Sequence, residues 1–440
     1  MTLPKRCRNW ISGNGPRAAA AALPSPAVRP WRGWALPMAI AIACALTAMA
    51  AQAQTFSVIH NFSGGQDGAT PMAGLTMDRA GNLYGTANYG GNAGGNCGVN
   101  GCGAVFRLAN RNSSWLLTPL YDFAGGNDGA NPEAASVVVG PDGSIFSTTY
   151  LGGTGCNGSG CGTVFNLQPP ASACKSALCP WTETVVHRFT GPDGSGPVGA
   201  VVFDPSGNLY GVTLLGGLDG GGTVYQLSAN NWTENILFHP YGYPGSGITP
   251  DNAGNFYGST FAGGENYGSI YELTRTASGW SGNNIYAFTD GSDGAYPKAG
   301  VIFDAAGNLY GAAANGGSGN GGTVFQLTPS NGSWLYSTLY SFTGPNNGSA
   351  IVGPAGNLVM DSAGNLYGTT VVDGVNAYGA VFKLTPTNGG WTYTSLHDFT
   401  NDGDGSYPYS NLVFDAAGNL YGTASAGGAN GLGVVFKIAP

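Results

Sequence analysis

Hydrophobic residues along this chain occur in short runs that are separated by clusters of Gly, Asn and Asp. In the clearest unit the runs span 299–303, 308–312, 322–327 and 334–342. They are rich in β-branched and aromatic residues, and such runs between turn-forming clusters are typical of β-strands. The pattern predicts four strands per unit, which we name A to D in chain order.

The connection between strands A and B has a recurring sequence, Asp-x-x-Gly-Asn-(Leu/Phe)-Tyr-Gly. Asp at the first position and Gly at the fourth are typical of a type I turn. Gly in that place can adopt the left-handed conformation that joins two strands of a hairpin. The phrase begins at Asp78, Asp204, Asp251, Asp304, Asp361 and Asp415, with a degraded copy at Gly140. We therefore expect a tight A–B hairpin in every unit.

The units repeat about every fifty residues, which indicates one closed array rather than several domains. Residues 56–62 resemble a strand D without its unit, and residues 433–438 resemble a strand C with no strand D after it. Pairing of these two segments would complete the last sheet and leave no open sheet edge. The sequence predicts an all-β fold, a seven-bladed β-propeller spanning 54–440. Each blade has four antiparallel strands, and the N-terminal strand completes the last blade.

Strand D usually begins with Trp and carries an aromatic residue or His six positions later. An even spacing places both side chains on one face of a regular strand, so we expect both to pack between neighbouring sheets. The pairs are Trp115/Tyr121, Trp181/His187, Trp232/Phe238, Trp280/Tyr286, Trp334/Tyr340 and Trp391/His397.

The N-terminus has the features of a secretory signal peptide. Basic residues precede an apolar run, Ala35 to Ala50, which ends in the small-x-small site Ala51-Gln52-Ala53. This run is shorter than the roughly twenty residues of a membrane span. We expect residues 1–53 to be a signal peptide cleaved near Ala53, no membrane span, and a secreted or periplasmic mature protein.

Charge and cysteine content agree with export. Six of the 15 Lys and Arg precede residue 35, whereas all 23 acidic residues follow residue 60. The remaining acidic surface would repel phosphate backbones, so nucleic acid is not an expected partner. Six cysteines form three Cys-x4-Cys pairs, Cys97/Cys102, Cys156/Cys161 and Cys174/Cys179. In an exported chain they predict three local disulfides rather than a metal site.

Two sets of loops are expected on one face of the propeller, the B–C loops and the D–A loops. The B–C loops vary between units, as binding loops on a constant scaffold do. Their aromatic side chains could stack on sugar rings; the candidates are Tyr89, Tyr150, Phe261, Tyr267 and Tyr378. The D–A loops repeat Asp-Gly-x-x-Pro, with candidates at Asp67, Asp128, Asp293 and Asp404. These carboxylates are expected to cap turns; the alternative is a ring that binds Ca²⁺ or a cationic ligand. We expect no other cofactor.

No catalytic motif stands out. Three of the four His occupy the aromatic packing position of strand D, whereas His239 and Glu265 lie in an irregular region and are the catalytic candidates. We hypothesise a non-catalytic propeller that binds an extracellular polysaccharide or protein through its loop face. The alternatives are a propeller-fold polysaccharide lyase or hydrolase and a structural or adhesive envelope component.

The paired phrases Asp-x-Ala-Gly-Asn-Leu-Tyr-Gly-Thr at 415–423 and Gly-Ala-Val-Phe-x-Leu at 379–384 resemble the GloVer-type tandem repeat of bacterial "choice-of-anchor" proteins. The resemblance covers about residues 55–440. It implies an exported, propeller-like repeat protein and implies no reaction.

Overall fold

A computed structural model describes residues 54–112, 114–133, 136–140, 142–170, 181–263, 267–344 and 353–440. In this part of the chain the strands form seven antiparallel sheets in a β-propeller arrangement. The hydrophobic core lies between adjacent sheets: one cluster joins Tyr257 and Ile270 of the fourth blade to Leu309 and Phe325 of the fifth. The predicted fold class is confirmed.

The strand bounds follow the chain, blade by blade. Blade 1 contains β2 Thr76–Met77, β3 Leu83–Ala87, β4 Ala104–Arg111 and β5 Ser114–Asp122. Blade 2 contains β6 Val138–Val139, β7 Ile145–Thr149, β8 Thr163–Gln168 and β9 Thr182–Arg188. Blade 3 contains β10 Ser195–Phe203, β11 Leu209–Leu215, β12 Thr223–Leu227 and β13 Glu234–Phe238. Blade 4 contains β14 Tyr243–Pro244, β15 Thr249–Pro250, β16 Phe256–Ala262, β17 Ser269–Thr276 and β18 Gly279–Ala287. Blade 5 contains β19 Ile302–Phe303, β20 Leu309–Ala313, β21 Thr323–Ser330 and β22 Ser333–Ser341. Blade 6 contains β23 Val359–Met360, β24 Leu366–Thr370, β25 Ala380–Thr387 and β26 Gly390–Asp398. Blade 7 contains β27 Val413–Phe414, β28 Leu420–Ala424, β29 Val434–Ala439 and β1 Thr55–Asn61. Short 3₁₀ helices span Gly95–Asn100, Gly126–Asp128 and Cys156–Gly158.

The A–B turn has the predicted geometry. The Gly307 N–H donates to the Asp304 carbonyl at 3.2 Å, and Gly307 has a φ of 84°. The Asp304 carboxylate accepts bonds from the backbone N–H groups of Ala306 and Asn308, the Asn308 side chain and the Tyr310 hydroxyl. One aspartate thus satisfies the turn and anchors the following strand, which explains the recurrence of Asp, Asn and Tyr in the repeat.

Glycine after this tyrosine has a packing role. A Cβ atom added to Gly311 would lie 2.5 Å from Cζ of Phe325, the aromatic residue of neighbouring strand β21. The same overlap occurs at Gly85 with Phe106 and at Gly422 with Phe436. The repeat therefore carries Gly in strand B because a strand C ring covers that position.

We expect Gly311→Ala to destabilise the fold by about 1–3 kcal/mol, the usual cost of overpacking a filled core. Equilibrium unfolding in urea would measure the difference. The double variant Gly311→Ala/Phe325→Leu should recover part of the loss because the smaller side chain makes room for the methyl group. Equal stability of Gly311→Ala and the parent protein would contradict this packing explanation.

Ring closure follows the prediction from the two chain ends. Strand β1 pairs antiparallel with β29, with Thr55 opposite Ala439 and Val58 opposite Phe436. The Asn61 side chain accepts a bond from the Ala429 N–H at 2.8 Å. The N-terminal segment is therefore the outer strand of blade 7.

One expectation about strand D was wrong. In β22, Val324 pairs with Tyr340 but Phe325 pairs with Thr338, so Leu339 is an extra, bulged residue. The bulge reverses the alternation of side chains. Trp334 consequently contacts Tyr257 of blade 4, whereas Tyr340 stacks on Tyr393 of blade 6. Both residues do pack between sheets, but on opposite faces of their own strand.

Two of the predicted disulfides are confirmed. Cys97 is bonded to Cys102, and Cys156 to Cys161, in the B–C loops of blades 1 and 2. The third pair, Cys174 and Cys179, lies outside the described residues. Within the described ranges, none of the helices has the length and apolar character needed to cross a membrane.

Candidate functional site

The B–C and D–A loops lie together, as the sequence predicts. Ala69 of a D–A loop forms a backbone bridge with Tyr89 of a B–C loop, and Ala295 forms the equivalent bridge with Asn315. The Pro residue that ends the D–A phrase packs on the first Gly of strand C in the preceding blade. A Cβ atom on Gly268, for example, would lie 2.6 Å from Pro297. These contacts hold the residue after each Pro at the inner end of its blade.

The residues that follow these prolines line a cavity of about 790 Å³. All seven blades contribute, with Met72, Glu133, Val198, Gly245, Lys298, Ala355 and Tyr409. The scaffold repeats, but these side chains differ in size, charge and polarity. The cavity is therefore chemically asymmetric, although the backbone around it is nearly symmetric.

Two charged residues face this cavity from different blades. Burial raises the pKa of Glu133, although attraction to Lys298 opposes the shift. Burial likewise lowers the pKa of Lys298, against the attraction of Glu133. Glu133 belongs to blade 2 and Lys298 to blade 5, so the two charges approach the cavity from well-separated parts of the ring. They provide an acceptor and a cationic donor for a polar ligand.

Aromatic rings lie beside the charged pair. Phe261, Tyr150 and Tyr409 line the same cavity, and the Lys298 ammonium lies 5.0 Å from the centroid of the Phe261 ring. Burial, with a contribution from Glu133, raises the pKa of Tyr150. Flat apolar rings next to hydrogen-bonding groups are typical of small-ligand pockets.

Two asparagines also line the cavity and connect blades. The Asn357 carbonyl oxygen accepts a bond from the Gly300 N–H at 2.7 Å and lies 3.2 Å from the Ser246 hydroxyl. The Asn411 carbonyl oxygen lies 3.2 Å from the Ser136 hydroxyl, and its side chain lies over Gly74. These amides add neutral polar groups to the lining.

The aromatic residues proposed from the sequence occupy different environments. Tyr150 and Phe261 line the cavity. Tyr89 is 38% exposed on the loop face. Tyr267 packs edge-to-face against Tyr296, and Tyr378 packs similarly against Tyr407. The structure thus brings together two of the five rings.

The D–A aspartates cap their own turns. Asp293 accepts bonds from the Thr289 N–H, the Thr289 hydroxyl and the Tyr286 hydroxyl. Asp128 accepts from the Ala124 N–H and the Tyr121 hydroxyl. Asp67 accepts a hydrogen bond from the Ser63 hydroxyl and contacts His60. Asp404 accepts a hydrogen bond from the Thr400 hydroxyl and contacts His397. These contacts agree with the capping interpretation; binding of Ca²⁺ or a cationic ligand stays a prediction.

One of the two catalytic candidates, His239, lies at another cavity. His239 lines a space of about 570 Å³ together with Tyr241 and Tyr243. The His239 Nδ1 atom is buried and has no hydrogen-bond partner among the described residues. Glu265 lies outside the described residues, so the proposed pairing of these two side chains stays a prediction.

Sequence reasoning missed several of the residues that line the central cavity. They are Glu133, Lys298, Tyr409, Asn357 and Asn411. A signal was present in the sequence: each of the first three directly follows the Pro that recurs in the D–A phrase of this chain. The residue after this Pro varies from repeat to repeat, whereas the Pro itself recurs. That contrast could have identified the residues that line the cavity.

Three solved structures that are similar to this chain belong to proteins that share little sequence identity with it. A protein assigned as an oxidoreductase (glucose dehydrogenase) from Thermus thermophilus is 13% identical with a TM-score of 0.42, over 88% of this chain and 100% of that chain. A gluconolactonase from Xanthomonas campestris is 14% identical with a TM-score of 0.41, over 76% and 94%. A protein assigned as a 6-phosphogluconolactonase from Bacteroides uniformis is 11% identical with a TM-score of 0.47, over 76% and 95%. No curated protein matches the sequence. Similarity at this level carries no inference about function.

The repeat itself identifies the family. The model of the Gloeobacter/Verrucomicrobia repeat matches residues 45–246, 96–299 and 243–440, three overlapping segments that together span the propeller. The strand B phrase and the strand C phrase that predicted this resemblance both lie within the matched segments. The chain belongs to the Gloeobacter/Verrucomicrobia repeat family.

Proposed function

We propose that this protein is an exported, non-catalytic propeller that binds an extracellular polysaccharide in its central cavity. The observation that carries the proposal is the asymmetric lining, in which Glu133, Lys298 and three aromatic rings interrupt an otherwise repetitive ring. Sugar rings offer both apolar faces for stacking and hydroxyl groups for hydrogen bonds. The cavity presents partners for each.

The size of the cavity favours a short stretch of polymer. A volume of about 790 Å³ lies within the usual range of roughly 300–1,000 Å³ for small-ligand sites. A chain end or a side branch can enter such a cavity, whereas a continuous polymer would have to thread through the ring. We therefore propose recognition of terminal or branching sugars, with export directed by residues 1–53.

Binding is tested by mixing the purified protein with soluble polysaccharides and separating each mixture by size-exclusion chromatography with light scattering. We expect co-elution with an intact polymer. Phe261→Ala and Tyr150→Ala should each weaken binding about tenfold, because a lost stacking contact costs about 1–1.5 kcal/mol. Lys298→Met and Glu133→Gln test the polar contacts in the same assay.

Leu335→Ala is the control, because this residue is 58% exposed on the outer strand β22, away from the cavity. It should bind as the parent protein does. Unchanged binding in all four cavity variants would contradict the proposed site. A falling polymer mass would instead indicate a hydrolase or lyase, and His239→Ala would then be tested for loss of turnover.

A further inference from the structure

The outer strands of neighbouring blades meet through a recurring pair of side chains. The residue six positions after Trp in one blade faces the residue two positions after Trp in the next. Tyr286 stacks on Tyr336 at a centroid distance of 4.2 Å, and Tyr340 stacks on Tyr393 at 4.8 Å. At the closure of the ring, His397 stacks on Phe56 at 3.6 Å. Ring stacking therefore links neighbouring blades at three places in this layer.

Between blades 2 and 3 the same position has a different chemistry. His187 faces Glu234 instead of an aromatic ring, and Asp193 lies beside both. The His187 Nε2 atom is 3.3 Å from Asp193 Oδ2 and 3.6 Å from Glu234 Oε2. The three side chains are only 12–20% exposed. Two carboxylates and an imidazole thus converge on one point.

The polar atoms of this cluster lack ordinary partners. His187 Nε2 and Glu234 Oε1 are inaccessible to solvent, and neither forms a hydrogen bond of good geometry with the described residues, although His187 Nε2 lies 3.3 Å from Asp193 Oδ2. The equivalent His60–Asp67 and His397–Asp404 pairs do form hydrogen bonds, at 3.1 and 3.0 Å. Leaving buried polar atoms unpaired is costly, so an additional group at this point would remove a penalty.

The distances from His187 Nε2 to the two carboxylates match the spacing of ligands around a metal ion, and the three ligand atoms all lie within 4.8 Å of one another. Ligands at about 2.1 Å from a tetrahedral Zn²⁺ ion lie about 3.4 Å apart, close to the distances of 3.3 and 3.6 Å from His187 to the two carboxylates. Imidazole nitrogen with carboxylate oxygen suits divalent first-row metals. Calcium would require more oxygen ligands than this cluster offers.

The surrounding residues orient one of the ligands. Asp193 Oδ1 accepts bonds from the Thr190 N–H at 2.7 Å and the Thr190 hydroxyl at 2.9 Å. These bonds hold the carboxylate and leave Oδ2 directed toward His187. Hydrogen bonds of this kind commonly fix the ligands of metal sites.

We propose that His187, Asp193 and Glu234 bind one divalent transition-metal ion, such as Zn²⁺, between the outer strands of blades 2 and 3. His187 lies in β9 of blade 2 and Asp193 in the loop that follows it, whereas Glu234 lies in β13 of blade 3. The ion links two blades where aromatic stacking links others. Its role is structural, with a solvent molecule completing the coordination.

Titration calorimetry with ZnCl₂, after removal of bound metal by a chelator, tests the proposal. We expect one Zn²⁺ per chain at pH 7.5 and a rise in melting temperature of a few degrees at saturating metal. Glu234→Gln and His187→Gln should each weaken binding at least about tenfold. Glu234→Gln preserves side-chain volume, and circular dichroism without metal will verify that each variant is folded.

His397→Gln is the matched control, because it removes the histidine of a His–Asp pair that has an aromatic ring in place of the third ligand. It should bind Zn²⁺ like the parent protein. Absence of stoichiometric binding by the parent protein would overturn the proposal. Equal affinity in the parent, Glu234→Gln and His187→Gln proteins would also overturn it, because the metal would then bind elsewhere.

Discussion

Deletion of residues 54–61 is expected to abolish cooperative folding of the propeller. The deletion removes β1, which is the outer strand of blade 7, and leaves β29 as an unpaired edge. It also removes Phe56 and Val58 from the core between blades 6 and 7. Full burial of a large apolar side chain contributes roughly 1.5–3 kcal/mol, and these two partly buried side chains contribute less than that each. Together with the lost strand pairing, the cost is on the order of the 5–15 kcal/mol that stabilises a whole domain.

The deleted protein should aggregate or unfold without a sharp transition, as followed by circular dichroism and light scattering. A folded monomer with a cooperative melt near that of the parent would refute the importance of this closure. An exposed edge such as β29 can pair with other chains, so aggregation should increase with protein concentration.

A circular permutant separates loss of the strand from loss of the chain end. Thr55 lies directly opposite Ala439, so a short Gly-rich loop can join Pro440 to Thr55 as a hairpin. New ends between Asn388 and Gly389 would open the exposed turn between β25 and β26. Blade 6 would then be closed by an N-terminal strand, as blade 7 is in the natural order. This permutant should fold cooperatively.

Acidification is expected to cause the second large loss of stability. Burial opposes ionisation of Asp304, but bonds from Asn308, Tyr310 and Ala306 outweigh it and lower its pKa. The same balance lowers the pKa of the corresponding aspartates, Asp78, Asp204, Asp361 and Asp415. A carboxyl with a lowered folded pKa stabilises the protein above its unfolded pKa of about 4, and this contribution disappears as the pH falls through the folded value. Five such groups act together.

A half-buried glutamate, Glu183, produces the opposite trend at higher pH. Burial and repulsion from Asp128 raise the pKa of Glu183 to about 7, against the attraction of Arg188. Its folded form holds a proton more tightly than the unfolded chain does, so this group adds stability as the pH falls from about 7 toward 5. The expected profile therefore combines a contribution from Glu183 that grows between about pH 7 and pH 5 with a steep decline below about pH 4.

Urea unfolding between pH 7 and pH 2.5 would measure this profile. Asp304→Asn should lower the free energy of unfolding at pH 7 by about 1–3 kcal/mol, because bonds to a charged acceptor are weakened. It should also reduce the slope below pH 4, since one fewer carboxylate is protonated. An unfolding free energy that stays constant from pH 4 to pH 2.5 would contradict the role assigned to the turn aspartates.

The sequence alone was sufficient to predict features that depend on local chemistry or on the number of repeats and strands. A turn such as Asp304 to Gly307 is stabilised within a few residues, so its type could be predicted without tertiary contacts. The number of blades and the closure by β1 followed from the repeats and from the unmatched strands at the two ends. The two described disulfides, Cys97–Cys102 and Cys156–Cys161, join residues five apart. Local pairing could therefore be expected.

Only the tertiary structure decided which side chains meet across blades. The bulge at Leu339 reverses the direction of Tyr340, because one inserted residue changes the face of every residue after it. Glu133 and Lys298 are far apart in the chain and approach one cavity because the ring closes. His187 and Glu234 meet because consecutive blades place different positions of strand D against each other. The sequence by itself determined the strands, turns and closed ring; the cavity and the His–Asp–Glu cluster arise from contacts between blades, which local periodicity does not encode.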